Sequence, residues 1–239
     1  MERTQAVKNL NELYGRLGAY YSDGFYKQDN IDLEYAGDER LSVNEETVDD
    51  TEFITINKRK QIIELAEKVI SCKSCDLGCG SNIRIPGTGN PAAKVFVLCS
   101  PPVQSDIESQ RPLSGAVEDF TGKWFSSIGL RYDELFVTNI VKCIPSQKIT
   151  IPHIEKCFDH LQKQINIVAP LLIVTLGQVA ISSLLKKQFN LELNHGELVY
   201  FNNIPVFPVF DPHIVFKTPS LKKPVWDDLK KIRNFMDGL

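Results

Sequence analysis

Apolar residues along this chain either recur at helical spacing or cluster in short runs with no period. Spacing of three to four positions places Val7, Leu10, Leu13, Tyr14 and Leu17 on one side of a short helix from Gln5 to Tyr21. The same spacing places Ile62, Leu65, Ala66, Val69 and Ile70 on one face of a helix from Lys58 to about Ser71. Four runs lack any such period: Lys94 to Cys99, Leu135 to Asn139, Leu171 to Leu176 and Pro205 to Phe210. Each is short, apolar and bounded by Gly, Pro or polar residues, as suits strands covered on both faces of a parallel sheet. Helical stretches alternate with them at Glu118 to Ser127, Ile154 to Val168, Gln178 to Gln188 and Lys223 to Met236. The pattern predicts an α/β fold, a three-layer α/β/α sandwich with about four central parallel strands.

In such a sheet ligands bind beyond the carboxyl ends of the strands. Four places qualify: Cys99-Ser100-Pro101-Pro102, Thr138-Asn139, Leu176-Gly177-Gln178 and Asp211-Pro212-His213.

Charge divides the chain in two. Residues 1–57 hold 5 basic and 13 acidic side chains, net −8, whereas residues 58–239 hold 22 and 17, net +5. Ten acids and one base between Asp29 and Glu52, with few apolar residues, have the composition of a flexible linker. The expected organisation is an N-terminal helix plus acidic linker over 1–57 and one folded domain over 58–239. The mildly basic second part is compatible with a polyanionic ligand without requiring one. No run of about 18 apolar residues is present, and Met1-Glu2-Arg3-Thr4 does not open a secretory signal. A soluble, cytoplasmic monomer without membrane contact is expected.

Six cysteines in a reducing compartment are better tested against metal binding than against disulfides. Cys72-Lys73-Ser74-Cys75 allows two thiolates to share one ion, and Cys143 and Cys157 form a second, wider pair. Thiolates are soft ligands that suit iron-sulfur or zinc alike. The wide second pair favours a 4Fe-4S cluster on Cys72, Cys75, Cys143 and Cys157, with zinc as the alternative. Cys79 is a candidate substitute ligand, and Cys99, at the end of an apolar run, also suits a small buried hydrophobe.

From Lys58 to Met236 the chain resembles the family 4 uracil-DNA glycosylases, iron-sulfur members of the uracil-DNA glycosylase superfamily. The segment Val137-Thr138-Asn139-Ile140-Val141-Lys142-Cys143-Ile144-Pro145, with Pro152, Glu155 and Cys157 behind it, carries most of the likeness. Ile85-Pro86-Gly87, Arg111-Pro112-Leu113-Ser114-Gly115, Ala169 to Ala180, and Asp211 to Leu229 follow in the family's order. The resemblance implies a protein acting on DNA that flips a nucleotide from the stack, reads the edge of its base and directs water to the sugar carbon. It assigns reading of the base to Asn139, whose amide both donates and accepts.

The chain also departs from the family. Leu98-Cys99-Ser100-Pro101-Pro102 stands where the family has Gly-Glu-Ala-Pro-Gly, so Cys99 and Ser100 would border the base without an acid, and Pro102 adds no amide donor. Leu113 replaces a stacking phenylalanine, and Asp211 replaces an active-site histidine that His213 could substitute. Asp106 is the next acid after the altered segment and could position water. Lys217, Lys222 and Lys223 are candidate phosphate contacts. Changes confined to the pocket leave two readings: a glycosylase with a rearranged pocket, or a catalytically silent iron-sulfur protein that binds nucleic acid or a partner protein.

Overall fold

The computed structural model describes residues 50–77, 83–131, 134–144 and 148–239. The expected helix at 5–21, most of the acidic stretch and Cys79 lie outside them. Contacts divide the chain into two units, Met1–Gln61 and Ile62–Leu239. Helix α1, Asp50–Ile70, begins before Lys58, so the end of the stretch read as linker is helical. No glycine or proline interrupts the sequence between Asp50 and Ile70, and local propensity carries the helix back that far.

The second unit is built on a six-stranded sheet. Its strands are β1 (Thr88–Gly89), β2 (Val95–Cys99), β3 (Leu135–Asn139), β4 (Leu172–Leu176), β5 (Val199–Phe201) and β6 (Ile204–Val209). Their spatial order is β1-β3-β2-β4-β6-β5. The four inner strands run parallel, as the unbroken apolar runs predict, and β2, β3 and β4 are buried at every position. The sequence reading lacked the two antiparallel edge strands, which are only two and three residues long. Asn202 and Asn203, both at positive φ, make the two-residue turn between β5 and β6, and that asparagine pair was the available hairpin signal.

Alternate residues of each strand enter opposite layers. Val95, Val97 and Cys99 join a core with Trp124 and Phe125 of α3 (Glu118–Ser127) and Val225, Leu229 and Ile232 of α8 (Lys222–Asp237). Phe96 and Leu98 face the other way, against Phe158, Leu161 and Ile165 of α4 (Ile151–Val168) and Ala180, Ile181 and Leu184 of α5 (Gln178–Leu185). The result is three layers, helix, sheet and helix, as expected. Short helices α2 (Gln104–Ser109), α6 (Leu191–Asn194) and α7 (Pro212–Lys217) fill loops where no helical period was legible, being too short to show one. Among the described residues no helix is long and apolar enough to cross a membrane.

The chain passes from β2 to β3 on one side and later to β4 on the other, so the sheet order reverses at β2. Register places Asn139 beside Cys99, Cys99 beside Leu176, and Leu176 beside Val209. All four parallel strands therefore end in one row, and the crevice just beyond that row is where α/β sheets bind ligands.

Candidate functional site

A small cleft opens at this row of strand ends. It is lined by Cys99, Ser100, Pro101, Asp106, Leu113, Asn139, Leu176, Asp211, Pro212 and His213. Of the residues nominated from the sequence, Cys99, Ser100, Asp106, Leu113, Asn139, Asp211 and His213 meet there from segments far apart in the chain, while Pro102, Thr138, Gly177 and Gln178 do not line it.

Asn139 ends β3 with its side chain 2% exposed. Its Nδ2 donates to Ser100 O at 2.8 Å. A carbonyl only accepts, so the amide orientation follows from its partner. The other end, Oδ1, is buried without a hydrogen-bond partner. A buried acceptor left without a donor, on a residue that lines the cleft, is a candidate contact for a bound molecule.

Ser100 is held in turn, its Oγ donating to Leu176 O at 2.9 Å and its amide to the same oxygen at 3.1 Å. Gly177, at φ +100°, allows this close approach: a Cβ there would lie 2.4 Å from Ser100 Oγ and 3.1 Å from Asp211 Oδ2.

Asp106 is 2% exposed and already well provided with donors. Its Oδ1 accepts from the Ser114 amide at 3.0 Å and hydroxyl at 3.1 Å, and its Oδ2 from the Val103 amide at 3.1 Å. The carboxylate thus ties the loop before α2 to the loop carrying Leu113, which sits buried at φ +55°. Asp211 caps α7, its Oδ1 accepting from the His213 amide at 2.9 Å. Cys99 is a protonated thiol at neutral pH, because burial, then the charges of Asp106 and Asp211, push its pKa well above the ordinary value while Lys142 pulls against them.

Beneath Asn139 lies a buried polar knot that sequence reasoning missed. Lys142 is 1% exposed, and its Nζ donates to Thr138 Oγ1, to Asn139 O at 2.8 Å and to Gln164 Oε1 at 2.7 Å. Gln164 Nε2 donates to Pro86 O. Burial draws the lysine down to about 8, against the charges of Cys157 and Cys99. The sequence signal was the place of Lys142 in the segment 137–145 that carries the family likeness.

The four nominated metal ligands share one electrostatic neighbourhood. Burial first, and then the thiols of Cys157, Cys75 and Cys72, push Cys143 up to about 12, with Arg84 acting in the opposite sense. Burial also raises Cys157, opposed by the charge of Lys142 and by the Lys142 amide, which donates to its Sγ at 3.3 Å. Next to this group, His153 on α4 receives the Thr150 amide at Nδ1 and donates from Nε2 to Asp76 at 2.8 Å, joining the Cys72–Cys75 loop to the helix that bears Cys157. Among the described residues no group of three or more His, Cys, Asp and Glu side chains is gathered closely enough to enclose a metal ion. The donor set nonetheless fits a thiophilic centre: four soft ligands repel one another as thiolates, and a cation relieves that repulsion.

Residues 86–230 match the family model described as the uracil DNA glycosylase superfamily. The chain is 31% identical to the type-4 uracil-DNA glycosylase of Sulfurisphaera tokodaii, over 71% of this chain and 82% of the relative. It is 28% identical to that of Archaeoglobus fulgidus, over 71% and 90%, and 25% identical to that of Thermotoga maritima, over 74% and 96%.

Proposed function

Because the chain belongs to the uracil DNA glycosylase superfamily, we propose that it hydrolyses the N-glycosidic bond of uracil, or of a related damaged base, in DNA. The observation that carries this reading is Asn139, which lines the cleft with its Nδ2 tied to Ser100 O and its Oδ1 buried without a partner. Oδ1 accepts from the ring N–H of a flipped uracil, and the second hydrogen of Nδ2 donates to the adjacent carbonyl. Leu113 packs on the face of the base, and the neutral thiol of Cys99 adds no charge at its edge.

Water approaches the sugar carbon from the side of Asp106. There Oδ2 takes only one of its hydrogen bonds from the chain, and the carboxylate orients the water and stabilises the positive charge growing on the sugar. His213 supplies the donor on the opposite wall as the base departs, while Asp211 holds that wall through its cap of α7. Exposed Lys217, Lys222 and Lys223, beyond the same turn, contact phosphates.

Cys72, Cys75, Cys143 and Cys157 hold a 4Fe-4S cluster in this reading, with zinc as the alternative. Such a centre ties the loop before the sheet to α4 and leaves the pocket chemistry to the side chains above it.

The test is release of free base from a uracil-containing oligonucleotide. Wild type is expected to release uracil, and Asn139→Ala to lower the rate by about 100-fold or more, the usual effect of removing a group aimed at developing charge. Salt-sensitive DNA binding without release of uracil or another damaged base would instead identify a silent binding protein.

A further inference from the structure

We propose that Lys142 is a positioning residue for base release: its buried ammonium group fixes the backbone of Asn139 and places positive potential beneath the departing base. This rests on the base-excision reading above. Three oxygens, Thr138 Oγ1, Asn139 O and Gln164 Oε1, receive hydrogen bonds from Nζ. Three acceptors use three protons, so the nitrogen is an ammonium there. All three acceptors are neutral, and the charge that answers it is that of Cys157 on α4. A buried cation is costly to fold, and its three oxygens hold it next to the reading residue.

The cation is connected to the pocket in two ways. Through Asn139 O it holds the residue whose side chain reaches the cavity. Its field also bears on Cys99, the register neighbour of Asn139 and part of the same wall. Asp106 and Asp211 on that wall act in the opposite sense.

The reaction is sensitive to this balance. The oxygen of water bonds to the sugar carbon and gives up a proton to solvent. The bond from that carbon to the base nitrogen breaks, and its electron pair leaves with the base. Negative charge grows on the base as the bond lengthens, and a fixed cation in a water-poor site lowers the barrier without having to reorganise. The amide of Lys142, donating to Cys157 Sγ at 3.3 Å, anchors the lysine backbone to α4.

Lys142→Met keeps much of the length and removes the charge. Two oligonucleotides that differ only in the leaving base, uracil or 5-fluorouracil, separate electrostatic help from mere support, because fluorine makes the departing anion more stable on its own. The expected result for uracil is a fall in kcat of about 100-fold with KM changed by less than about threefold. The loss for 5-fluorouracil is expected to be smaller by about tenfold, since a better leaving group needs less help.

Gln164→Glu sets a carboxylate against the ammonium while leaving Lys142 in place. It is expected to show the same dependence on the leaving base, and so decides the matter if Lys142→Met does not fold. Equal losses on the two bases, or a loss confined to KM, would overturn the role of Lys142 while leaving base excision standing. A wild type that releases neither base removes the reading beneath it and this role together.

Discussion

Gly177 shows how narrowly single residues shape the pocket. Its φ of +100° and the space beside it both exclude a side chain, since a Cβ would meet Ser100 and Asp211. Gly177→Ala is therefore expected to cost about 2 kcal/mol, the scale of a backbone conformation reserved for glycine, read from the midpoint of urea unfolding. Base release should fall further than stability explains, because Ser100 positions Asn139 through its carbonyl. Residues of this kind differ in how legible they are in the sequence. Asn139, Asp211 and Cys99 were found because each ends a recognisable apolar run. The double duty of Asp211 as helix cap and the three donors on Asp106 were not, because they depend on loops whose paths no periodicity encodes.

At the scale of elements, the strands and long helices were legible and their short neighbours were not. The bounds of β3 and α3 follow the sequence reading residue for residue, because each is a clean apolar or amphipathic block. Strand β1, two residues long, exists only because β3 offers it an edge, and that is tertiary information.

The same holds for the cysteines: spacing supplied the candidates, and among the described residues no three of them gather closely enough to enclose a metal ion. If Cys72, Cys75, Cys143 and Cys157 hold the 4Fe-4S cluster proposed for them, anaerobically purified protein should contain iron and acid-labile sulfide in equal amounts. Cys157→Ser should lose most of both and unfold at lower denaturant concentration, since the metal's binding energy is part of the folding energy. Zinc in place of iron would assign the site to the alternative metal, and absence of both would remove it.

At the scale of the whole folded unit, a histidine–carboxylate contact joins the far edge of the sheet to the last helix. His195, before β5, places Nδ1 2.9 Å from Oδ1 and 2.8 Å from Oδ2 of Asp228 of α8, and Asp228 is fully buried with Gly196 pressed against it. Burial raises the Asp228 pKa, against the hydrogen bond and charge of His195. A carboxyl that titrates higher in the folded chain than in the unfolded one stabilises the fold below its unfolded pKa, and that contribution is lost as pH rises through the folded value. Removing the partner moves the folded value higher still. His195→Ala is thus expected to cost about 1 kcal/mol at pH 7, the scale of a buried acceptor losing its donor, since Lys231 still stands 4.0 Å from Asp228 Oδ1, and distinctly less near pH 4. Thermal unfolding at the two pH values checks the sign, and an equal loss at both would show that packing rather than charge is at stake.

The pocket lies past the row of strand ends, and this separates inheritance from invention. Ser100, Asp106, Leu113, Asp211 and His213 stand on turns and short helices beyond the sheet, where a changed side chain leaves the strand register alone. Such a scaffold lets a lineage exchange the vocabulary with which it reads a base while the grammar of the sheet stays fixed.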